Sequence, residues 1–92
     1  MNQTGLSCTA VICNKRGLHA RAAAQFVKVA SGFDAYILVS RDGQTVSGLS
    51  IMGLMMLAAG PGCELELMAE GAEAKAALAA VRAVIEAKFE ED

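Results

Sequence analysis

The sequence predicts an α+β fold: an open-faced two-layer sandwich in the order βαββαβα, its four-stranded antiparallel sheet covered on one face by three helices. Three observations carry this. Apolar residues alternate with period two near residues 7–13, 35–40 and 63–69, and each run has only one dry face. Two longer segments, 20–30 and 73–89, instead repeat their apolar residues at helical spacing. Asp42-Gly43 is a tight-hairpin signal between two of the strand-like runs. A sheet that is wet on one face must bury the other under helices. With 92 residues there is material for one core, so a single domain spanning 1–92 is expected.

Along the chain, Ser7 to Cys13 reads as a first strand with Cys8, Ala10 and Ile12 on one side, ended by the polar break Asn14-Lys15-Arg16-Gly17. From Ala20 the stripe Ala23, Phe26, Val27, Ala30 marks a helix stopped by Ser31-Gly32. Ala35, Ile37 and Val39 form the dry side of a second strand, which turns at Asp42-Gly43 into a third, Gln44 to Ser47. Ser50 is a good N-cap for a short apolar helix, Ile51 to Ala59, stopped by Gly60-Pro61-Gly62. Cys63, Leu65, Leu67 and Ala69 alternate with Glu64, Glu66 and Glu70 in a fourth strand. A closing helix, Glu73 to Phe89, aligns Ala74, Ala77, Leu78, Val81, Ile85 and Phe89. A helical crossover from the first strand to the second leaves room between them for another, and the fourth is the candidate.

Composition excludes several functions. With no Trp, one Tyr and a net charge of −2, the chain offers neither stacking platforms nor a phosphate-tracking groove, so nucleic acid is not an expected partner. The longest apolar stretch, Leu49 to Ala59, is far short of the roughly 20 residues a spanning helix needs. The start MNQTGLSCTA lacks the basic and apolar regions of a secretion signal, which points to the cytoplasm. Cys8, Cys13 and Cys63 lack chelating spacing and read as small buried or half-buried hydrophobes, so neither metal nor cofactor is expected.

Charge divides unevenly. Residues 1–50 hold Lys15, Arg16, Arg21, Lys28 and Arg41 against Asp34 and Asp42, whereas the later half carries three cations against eight acids. The segment 15–28 is therefore where an anion is best tolerated, and the acidic end reads as a solvated helix face. The one histidine, His19, lies at the start of the first helix. By position alone it is a cap. Helix starts, however, present unpaired N–H groups at the positive end of the dipole and bind anions, here through Ala20 and Arg21. Lys15, Arg16 and Arg21 near the ring disfavour its protonated form and would leave it a neutral nucleophile.

The segment GLHARAAAQFV resembles the active-site segment of the HPr family, the histidine-containing phosphocarriers of the phosphoenolpyruvate-dependent sugar phosphotransferase system, and SGLSIMGLMMLAAGPG resembles the family's regulatory serine region. The resemblance covers nearly the whole chain. It implies that His19 is phosphorylated on Nδ1 by enzyme I and passes the group to enzyme IIA proteins, that Arg21 assists the phosphate, and that Ser50 is the serine modified by HPr kinase/phosphorylase where that control exists. The pattern departs at Ala22, where most members carry Pro.

Ile51 to Ala59 contains more large apolar residues than one buried stripe can use. Leu54 and Leu57 should pack inward, leaving Ile51, Met52 and Met55, with Leu49 beside them and Arg16 and Lys28 nearby, as the surface on which partners dock in turn. The expected molecule is a monomeric carrier with no small-molecule substrate of its own. The alternative is a regulatory module of the same fold, in a nitrogen- or carbon-status branch, acting through Ser50 and the apolar patch. A His-dependent acid/base enzyme would need an orienting acid or nucleophile near the ring. Asp34 and Asp42 are the only acids before Glu64, and no G-x-S-x-G occurs.

Overall fold

The computed structural model describes residues 5–91. The elements follow in the order β1 (Gly5–Val11), α1 (Ala20–Ala30), β2 (Tyr36–Arg41), β3 (Gln44–Ser47), α2 (Ile51–Met56), β4 (Glu64–Glu70) and α3 (Ala74–Glu86), with a short turn at Lys88–Glu90. This is the expected βαββαβα order. The first four residues, on which part of the leader reading rests, lie outside the described residues.

The sheet runs β1-β4-β2-β3 with every neighbouring pair antiparallel, so β4 does enter between the two strands that α1 connects. Leu67 pairs with Cys8 on one side and Val39 on the other. Asp42 and Gly43 both take positive φ, 51° and 81°, as a two-residue hairpin between right-twisted strands requires.

The period-two pattern is realised. Ile37, Val39, Leu65, Leu67 and Ala69 are buried on one face, while Glu64, Glu66 and Glu70 face water. α3 lies across β1, β4 and β2, α2 sits against β3, and α1 packs on the other two helices. The core between the layers is filled chiefly by Phe26, Ile12, Leu54 and Ile85 with the small side chains Ala22, Ala23 and Ala77. Ala22 is wholly buried, so the departure from Pro is accommodated inside the first turn of α1. Among the described residues no helix is long and apolar enough to cross a membrane.

Four details differ from the sequence reading. β1 covers Gly5–Val11 rather than reaching Cys13. Cys13 is exposed instead of buried, its thiol directed at the carbonyls of Ile85 and Glu86 at 3.5 and 3.8 Å; Cys8 and Cys63 are half-buried as expected. α2 ends at Met56, not Ala59, because Leu57 closes it and Ala58 turns to φ 52°. The Arg41 guanidinium donates to the Leu57 carbonyl at 2.7 Å, supplying a cation to that C-terminal end. α3 stops at Glu86 instead of running to Phe89. Lys88, Phe89 and Glu90 have φ of 59°, 53° and 62°, a left-handed turn that returns Phe89 to the core by another route.

The loop between β1 and α1 is anchored on the segment after α2. The Leu18 N–H donates to the Ala59 carbonyl at 2.9 Å, and Gly17, at φ +66°, lies so close that a Cβ there would collide with that same carbonyl. Gly17→Ala therefore combines an unfavourable φ with a backbone clash. It should cost about 2 kcal/mol or more in urea denaturation; a loss under about 0.5 kcal/mol would show that the contact yields freely.

Candidate functional site

His19 is the N-cap of α1, with extended backbone (φ −80°, ψ −178°), and its carbonyl accepts the Ala23 N–H at 2.8 Å. Its ring makes no cap bond, and the first turn contains no acidic side chain. The amides opening the helix thus keep their capacity for an outside anion. The positions match the reading of Ala20 and Arg21 as the helix start. Arg21 is exposed and has no hydrogen bond or ion pair among the described residues, so its guanidinium is not held against His19.

Among the described residues, the charged group shown at hydrogen-bond distance from the ring is an acid. Both carboxylate oxygens of Glu91 lie 3.0 Å from His19 Nε2, with the two side chains only 19% and 15% exposed. The reading of the acidic chain end as a solvated helix face holds for the exposed Glu86 and Glu90 and is corrected for Glu91, and the ring read as lying near Lys15, Arg16 and Arg21 meets a carboxylate as well. Arg16 is exposed, and its positive field is felt by the carboxylate. An orienting acid does meet the histidine. Sequence spacing could not show it, because 72 residues separate the pair.

Asn14 completes this cluster. It is fully buried, and its Nδ2 donates to the Gly17 carbonyl and to Glu91 Oε1, each at 2.9 Å. Its Oδ1 is buried without a partner among the described residues. The Asn14 amide holds the Glu91 carboxyl below the ordinary carboxylate range, with further help from the hydrogen bond and charge of His19 and from Arg16, while partial desolvation acts the other way. Asn14 and Glu91 are the two site residues that sequence reasoning missed. The only available signal was an asparagine inside a polar break, which also has the ordinary meaning of a turn residue.

Ser50 is the N-cap of α2, and its Oγ accepts the Gly53 N–H at 2.9 Å. Such a cap is worth about 1 kcal/mol. Around it Leu49, Ile51, Met52 and Met55 are exposed, whereas Leu54 and Leu57 are buried, the division that the count of large apolar residues required. Met56, which the sequence reading left unassigned, is also 65% exposed. Lys28 is exposed in the last turn of α1.

Residues 6–87 match the family described as PTS HPr component phosphorylation site. The chain belongs to the HPr family of phosphocarriers. Among its relatives, the phosphocarrier protein HPr of Treponema pallidum is 48% identical over 91% of this chain and 96% of its own. The phosphocarrier protein NPr of Shewanella violacea is 44% identical over 96% and 97%. The crystal structure of HPr-C-His from Thermoanaerobacter tengcongensis superposes with a TM-score of 0.90 at 44% identity, covering 95% of this chain and 98% of the other. The open-faced sandwich is thus the HPr fold.

Because the Glu91 carboxyl is held low, its contact with Asn14 and His19 is complete above the ordinary carboxylate range and lost only as pH falls through the lowered value. Carbon-13 NMR of the Glu91 carboxyl should show a titration midpoint below that of an unstructured glutamate. A midpoint at or above that value would mean the carboxylate is not held in solution.

Proposed function

We propose that this HPr-family chain is a cytoplasmic, monomeric phosphoryl carrier of the phosphoenolpyruvate-dependent phosphotransferase system. His19 accepts the group from enzyme I on Nδ1 and passes it to enzyme IIA proteins, with no cofactor. The observation that carries this reading is the partly exposed His19 ring at the uncapped start of α1. Nε2 faces Glu91, and Nδ1 has no hydrogen-bond partner among the described residues. A phosphoryl group on Nδ1 would meet the amides of Ala20 and Arg21 and the guanidinium of Arg21, each charge-assisted hydrogen bond contributing about 1.5–3 kcal/mol. A carrier must also release its phosphate, so only a few such bonds suit the task.

Ser50 is the proposed regulatory site, acted on by an HPr kinase/phosphorylase where one is present. A phosphate on its Oγ would bring roughly −1.5 to −2 charges to the edge of the apolar surface formed by Leu49, Ile51, Met52 and Met55. That surface, with Arg16 and Lys28 beside it, is the proposed docking face for successive partners. A second reading, a regulatory module without sugar transport, is favoured by the similarity to a protein named NPr. His19→Ala separates the two: a carrier loses all phosphoryl transfer, whereas a regulator working only through Ser50 keeps its partner binding.

Incubation with phosphoenolpyruvate and enzyme I should add one acid-labile, base-stable phosphate at His19; an acid-stable product or none would overturn the assignment. Arg21→Ala should slow transfer about tenfold or more while the melting temperature stays unchanged, the loss of roughly one charge-assisted bond. Wild-type rates would remove that guanidinium from the reaction. Ser50→Asp should weaken enzyme I binding in titration calorimetry, and unchanged affinity would take Ser50 off the docking surface.

A further inference from the structure

The residues after α3 are arranged as a strap that returns to the histidine. Phe89 is buried at the centre of the left-handed turn and anchors it to the core. Two residues on, the Glu91 carboxylate is gripped by the Asn14 amide at 2.9 Å and meets His19 Nε2 with both oxygens at 3.0 Å. Asn14 is itself fixed by its bond to the Gly17 carbonyl, within the loop that presents His19. The carboxylate is therefore located by one apolar anchor and one buried amide, independently of the histidine it touches.

We propose that Glu91 is a positioning residue that keeps the proton of the neutral His19 ring on Nε2, so that the lone pair lies on Nδ1. An ionised carboxylate only accepts hydrogen bonds, and the nitrogen facing it must carry the proton. In a neutral imidazole the other nitrogen is then bare. The inference rests on the reading of His19 as a phosphoryl acceptor and adds which group selects the reacting atom.

The step balances without a proton transfer. The Nδ1 lone pair forms the N–P bond while the bond from phosphorus to the phosphorylated partner breaks, its electron pair leaving with the partner. The proton on Nε2 stays in place. In the onward step the acceptor attacks phosphorus, and the P–Nδ1 pair returns to Nδ1. The group that departs is a neutral imidazole already protonated on Nε2 rather than an imidazolate, which is the poorer leaving group. Glu91 thus serves both directions of transfer through one hydrogen bond, and touches no reacting atom.

The test combines two readouts on wild type, Glu91→Ala and Glu91→Gln. Two-bond proton–nitrogen correlation spectra, taken where the ring is neutral, report the ratio of the Nε2–H to the Nδ1–H form. In Glu91→Ala that ratio should fall about three- to tenfold, the range spanned by one net hydrogen bond, and transfer from preloaded phosphoprotein to an enzyme IIA should slow by a comparable factor. Glu91→Gln, whose amide oxygen still accepts, should restore the ratio. Unchanged melting curves would exclude a general loss of structure. A ratio unaltered in Glu91→Ala, or an altered ratio with wild-type transfer, would overturn the inference. Absence of phosphate on His19 in the wild type would instead overturn the carrier reading, and the tautomer ratio would still judge the strap.

Discussion

The Ala59 carbonyl, reached only because Gly17 has no side chain, is the contact on which the arrangement of the functional end depends. The Leu18 N–H donates to it, and the next residue is His19, at which α1 begins. A single backbone hydrogen bond therefore ties the start of one helix to the residues following another. The imidazole and the apolar surface on α2 are consequently built on segments in direct contact. The same loop buries the Asn14 amide, and through it the end of the chain becomes part of the site.

Electrostatics at this end is more balanced than a count of local charges suggests. Lys15, Arg16 and Arg21 lie close to His19 in sequence and are all exposed, where water screens them. The carboxylate of Glu91 is remote in sequence, largely enclosed and within hydrogen-bond distance of the ring. Proximity along the chain and proximity in space lead to opposite expectations, and a half-buried contact at hydrogen-bond distance outweighs charges that are open to water. A cationic segment open to solvent suits the approach of an anionic group. A fixed carboxylate on the far nitrogen suits the ring in the proposed role of taking a group and releasing it.

Legibility in the sequence followed the range of the interaction responsible. β2 and β4 were readable because each buries one face, and Ile37, Val39, Leu65 and Leu67 declare that face at period two. α1 was readable from its stripe and from Ser31-Gly32 at its end. The split of α2 into buried Leu54 and Leu57 and exposed Ile51, Met52 and Met55 followed from there being too many large side chains for one stripe. The end of α3 was misread because Phe89 is apolar and in phase with Ile85, whether the backbone continues as a helix or turns left-handed. The shortened α2 has a similar origin: the φ of Ala58 is imposed by its surroundings, and alanine carries no mark of it.

By itself the amino-acid sequence determined the order of elements, the dry face of the sheet and His19 at a helix start, since each rests on periodicity or on neighbours a few residues away; for the place of β4 it offered a candidate through the crossover rule, which the strand pairing then bore out. Only the tertiary structure decided what the imidazole touches. Asn14, His19 and Glu91 meet because β1, α1 and α3 pack on one core, and contact between residues 72 positions apart is a property of that packing rather than of any local pattern.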